Sequence, residues 1–64
     1  MKSVNEVTEI LNLYTRRQIK RMACEILNSH AGIGNEGFYR PSDITIADAR
    51  QIVVEEVLFH GYQL

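Results

Sequence analysis

The stretch TIADARQIVVEEVLFHG, residues 45–61, decides the fold. Thr45 is placed as an N-cap, and Asp48 puts a carboxylate in the first turn, where the helix dipole favours it. The apolar residues then recur at helical steps until His60, and Gly61 is placed to end the helix in a left-handed conformation. On a helical wheel Ile46, Ala49, Val53 and Val57 form one face, which Ala47, Val54 and Leu58 extend on one side. Ile52 and Phe59, seven residues apart, lie nearly opposite Val54. Asp48, Gln51 and Glu55 leave only a narrow polar strip, with Arg50 and Glu56 as separate charges. A helix that is apolar nearly all round should be buried nearly all round. One further helical segment and a loop cannot easily surround it, whereas a second copy of the chain could. The expectation is an all-α protein with two or three helices per chain, forming a helical homodimer whose interface includes Ile52, Val53, Val57 and Phe59.

Working back towards the N-terminus, Ser3-Val4-Asn5-Glu6 fits a capping box, in which Ser3 accepts from the N–H three residues on and Glu6 reaches back. Val4, Val7, Leu11 and Tyr14 then form an apolar stripe with Ile10 beside it. Farther on the stripe becomes Ile19, Met22, Ala23, Ile26 and Leu27, rotated by about 110° from the first at 100° per residue. Two structures give that rotation. One is a single long helix whose buried face turns. The other is a pair of helices broken near Thr15, because Thr15-Arg16-Arg17-Gln18 is itself a capping-box match. No Pro or Gly interrupts the segment, which favours a continuous or slightly kinked helix over about 4–30.

Gly32 is expected as the C-cap of that segment. A loop over about 31–43 follows, carrying Gly32, Gly34, Asn35, Gly37 and Pro41, with Ile33, Phe38 and Tyr39 placed to tuck against the core. Pro41 disfavours helix at Arg40, so the last helix is expected over about 45–60. The chain reads as a single helical domain, residues 1–64.

A chain of 64 residues and 7.4 kDa buries only about 60% of its unfolded surface, so a lone core is marginal. Its single cysteine, Cys24, excludes an internal disulfide. Hydrophobic residues at 45% and charged ones at 23% are ordinary globular usage rather than disorder. The net charge of −1 supplies no strong overall field towards nucleic acid or membrane. No apolar run approaches the roughly 20 residues of a membrane span, and no signal-peptide h-region follows Lys2. A small, soluble, intracellular domain is expected.

Several motifs invite chemistry. Gly32-Ile33-Gly34-Asn35-Glu36-Gly37 is a literal GxGxxG, but it follows a helix and no strand precedes it, so nucleotide binding is not expected. Cys24, His30 and His60, with Glu25, could suggest a metal, yet they lack the close paired spacing of zinc ligands. Glu55 and Glu56 are adjacent, hence about 100° apart on a helix, and cannot share a substrate. No catalytic, cofactor or metal residue, and no small-molecule substrate, is therefore assigned.

Arg16, Arg17, Lys20 and Arg21 place four of the seven basic residues within six positions. Such a face could contact phosphates or an acidic protein. A solvated helix face is the plainer reading, and a ten-residue glycine loop is too long for the turn of a helix-turn-helix. Tyr39 and Arg40, beside Phe38, form an aromatic–basic cluster of the kind found at interaction hot spots. Tyr62 and Leu64 make an apolar tail that could dock on the chain itself or across a dimer.

The segments LNLYTRRQIKRMACEILNSH (11–30) and ADARQIVVEEVLFHGYQL (47–64) resemble the short accessory early proteins of lambdoid bacteriophages, encoded between exo and xis in the early region of phage lambda. The resemblance implies a small helical protein made early in infection inside the bacterial cytoplasm, favouring lytic development and disturbing the host cell cycle. It carries over no site residue. Together these readings give a non-enzymatic regulatory protein, a dimeric helical module that binds a host or phage protein. The alternative is a nucleic-acid-binding regulator using Arg16, Arg17, Lys20 and Arg21.

Overall fold

A computed structural model describes residues 3–31 and 39–64. Among the described residues the chain is all helical: α1 spans Val4–Leu11, α2 Arg16–Ala31 and α3 Ile46–His60, with a single 3-10 turn at Pro41–Asp43 before α3. The expected C-cap Gly32, the GxGxxG segment and the apolar loop residues Ile33 and Phe38 lie outside the described residues.

The N-terminal segment is two helices, which corrects the expectation of a continuous one. Glycine and proline are not what breaks it. The N–H groups of Leu13 and Tyr14 bond to the carbonyls of Ile10 and Leu11, both at 3.0 Å, so α1 ends in a tightened turn. Thr15 and Gln18 then close a reciprocal capping box. The Gln18 N–H donates to the Thr15 hydroxyl at 3.1 Å, and the Thr15 N–H donates to the Gln18 side-chain carbonyl at 2.8 Å. No non-glycine residue among those described has positive φ, so the Asn12–Thr15 turn needs no left-handed residue. Breaking the helix here lets both apolar stripes face α3 despite their rotation. The Arg50 guanidinium donates to the Asn12 side-chain carbonyl at 2.8 Å and ties the turn to α3.

The core is Val7 and Leu11 from α1, Ile19, Ala23 and Ile26 from α2, and Ala49 and Val53 from α3. Both α1 and α2 pack on α3, and the 3-10 turn packs on α2. Tyr62 and Leu64 also pack against this core, so the C-terminal tail docks on its own chain.

The caps of α3 are as expected: the Asp48 N–H donates to the Thr45 hydroxyl at 3.1 Å, and Gly61 is left-handed at φ 73°. The N–H groups of Gly61 and Tyr62 both turn back onto the Glu56 carbonyl. One charge is placed differently from the wheel reading. Glu56 is not a separate surface charge but lies beside Ala49 and Val53 on the buried face, only 8% exposed.

Candidate interaction surfaces

Two surfaces are built on this frame. The first is the seam between α2 and α3. Leu27 and Ile52 line two adjoining depressions there, of about 340 and 160 Å³. Ile44 joins them in the larger one, at the end where Tyr39, Asp48 and Gln51 lie. Glu55 borders both, and Glu56 and His60 close the far end of the smaller. The seam is therefore an apolar strip with an acidic rim. His60 Nε2 lies 4.0 Å from Glu56 Oε1, one helical turn away.

Tyr39 reaches the seam because Asn28 holds its backbone. The Asn28 amide donates to the Tyr39 carbonyl at 3.2 Å, and the Tyr39 N–H donates to the Asn28 side-chain carbonyl at 2.8 Å. This two-way bond mimics a strand pair and anchors the chain's entry into α3. Arg40 follows, exposed, with its N–H donating to the Asp43 carboxylate at 2.9 Å. Tyr39 lines the larger depression but is 46% exposed rather than tucked into the core as expected, and Arg40 is exposed as well.

The four residues expected at a dimer interface are separated by the fold. Val53 is fully buried in the chain's own core and has no surface to offer a second copy, which removes it from that set. Val57 is half-buried against the same core. Ile52 is half-buried and lines the seam, and Phe59 is 75% exposed. Periodicity could not separate these, because a helix apolar on several sides does not say which side its own chain covers.

The second surface is the start of α2. Arg16, Arg17 and Arg21 are exposed and Lys20 is half-buried. At 100° per residue the four fall within an arc of about 140°, turned away from the buried Ile19. Among the described residues none of their side chains takes part in an ion pair or hydrogen bond. The first turn of α2 has no acidic residue, whereas α1 and α3 carry Glu6 and Asp48 there. Arg21 also borders a depression of about 240 Å³ with Tyr14, Gln18, Met22 and Glu25. A further apolar exposure, not expected from the sequence, is Leu13 in the turn at 85%, beside Glu6, Glu9 and Ile10.

Among the described residues no three His, Cys, Asp or Glu side chains gather at a common point. The His30 side chain lies outside the described residues. Cys24 is buried, and burial first, then the nearby Asp43 carboxylate, pushes its thiol pKa up. Such a thiol stays protonated and is a poor nucleophile. Among the described residues no helix is long and apolar enough to cross a membrane. No family model, curated protein or solved structure matches the chain.

Proposed function

We propose that this protein is a non-enzymatic helical interaction module that works as a homodimer and binds a host or phage protein. The observation that carries the reading is Phe59. It stands 75% exposed on α3, two turns beyond Ile52, which lines the α2–α3 seam. Covering a phenylalanine side chain contributes roughly 1.5–3 kcal/mol, a large amount for a chain whose own core supplies only a few. Ile52, Val57 and Phe59 would form the α3 side of the interface, with Tyr39 and Arg40 as the recognition cluster. The acidic rim of Asp48 and Glu55 would supply specificity rather than affinity. The setting that fits is the cytoplasm of an infected bacterium, where a small early protein of this kind promotes lytic development by occupying a partner's surface.

Light scattering tests the assembly. The expected mass is that of two chains in the micromolar range, falling to one chain on Phe59→Ser. A one-chain mass for the unaltered protein at every concentration overturns the dimer.

A further inference from the structure

We propose that the first two turns of α2 form a docking surface for the sugar–phosphate backbone of duplex DNA. The structure changes the standing of the basic cluster because it moves the short connection in the chain. Arg16, Arg17, Lys20 and Arg21 are not midway along a continuous helix. They open the second of two helices joined by the four-residue turn Asn12–Thr15. That is the connection length with which DNA-binding helix pairs present the start of their second helix to the duplex.

Three features fit a phosphate backbone. The cluster makes no ion pair among the described residues. Three of the four cations are arginines, whose planar fork matches phosphate oxygens in pairs. Along the helix only Gln18 and the buried Ile19 stand between these cations, and of the four only Arg21 borders the depression lined by Tyr14 and Met22. The exposed Leu13 lines a depression with Glu6 and Glu9 on α1, not with the cations. The surface is distinct from the α3 residues invoked for dimerisation, so either reading can fail alone.

The test is fluorescence anisotropy of a labelled 20-base-pair duplex titrated with the full chain. Four phosphate contacts predict a slope of log affinity against log salt of about −3.6, so affinity should fall about a hundredfold between 50 and 200 mM salt. Arg16→Gln with Arg17→Gln should halve that slope. Arg17→Glu provides a control for folding: it should weaken binding at least as much as the double glutamine variant while raising Tm by about 2–4 °C, because it replaces a cation at the positive end of the helix dipole by an anion. Phe59→Ser should leave the effect of these arginine variants intact. No binding at 50 mM salt, or equal binding by the arginine variants, overturns the proposal. So does a polyglutamate peptide that displaces the duplex at equal charge, since the surface would then belong to an acidic protein.

Discussion

At the scale of single residues, Thr15 has the largest effect on the architecture for its size. Its hydroxyl and its N–H are both engaged by Gln18, and together they stop α1 from running into α2. Replacing an N-cap threonine by alanine costs about 1 kcal/mol. Thr15→Ala should therefore lower Tm by about 4–8 °C in a domain of this size. A thermal melt followed by circular dichroism measures it, and an unchanged Tm would mean that the i to i−3 bonds of Leu13 and Tyr14 alone hold the break. Glu56 is the opposite case, a residue whose placement no local rule signalled. Its position on the wheel is beside the core face, but a carboxylate there reads as solvent-facing until the C-terminal tail folds back over it. Asn28 likewise looks like an ordinary polar helix residue. Its role arises only when Tyr39, eleven positions later, arrives beside it.

Among the elements, α3 and the tail it releases are coupled by Tyr62. Burial first, then the carboxylates and phenol around it at Glu25, Tyr14 and Glu56, raise the Tyr62 pKa above its ordinary value near 10. A folded-state pKa above the unfolded one means stability that is fully present below pH 10 and is lost as pH rises through the folded value. The phenolate cannot stay docked among carboxylates, so the tail should loosen at alkaline pH. Tyr62→Phe removes the ionising group while keeping the ring. The difference in Tm between this variant and the parent should widen in the variant's favour from pH 9 to 11.5; a constant difference would show that ionisation of Tyr62 does not contribute. The same docking uses the left-handed Gly61, which turns the chain so that two successive N–H groups reach the Glu56 carbonyl.

Over the whole molecule, the relevant quantity is surface. The chain exposes 4830 Å², against about 4200 Å² for a folded monomer of 7.4 kDa. Its Cα atoms span 34 × 22 × 14 Å. Two helices with axes 8–10 Å apart and Cα radii of 2.3 Å need about 13–15 Å, so the thin direction holds two helix layers and no more. α3 is therefore covered from one side by α1 and α2, and its Phe59 edge is left open. If a second copy covers it, Tm should rise with protein concentration, because association stabilises only the folded chain. Melts at 5 and 500 μM check this; coincident curves would indicate a chain stable by itself.

Local structure is legible in the chain. The caps Ser3, Thr45 and Gly61, the extent of α3 and the two rotated stripes of α1 and α2 follow from hydrogen-bonding residues and periodicity within a few positions of each other. The break at Thr15 was visible as a capping box but not decided, because the same residues also suit the interior of a helix. The tertiary structure chose the break, since only two separate helices can turn both stripes towards α3. It also decided which side of an almost wholly apolar α3 is interior, placing Val53 inside and Phe59 outside. Burial is a property of what packs against a residue, and for α3 the core residues contributed by α1 and α2 lie at least twenty positions earlier in the chain.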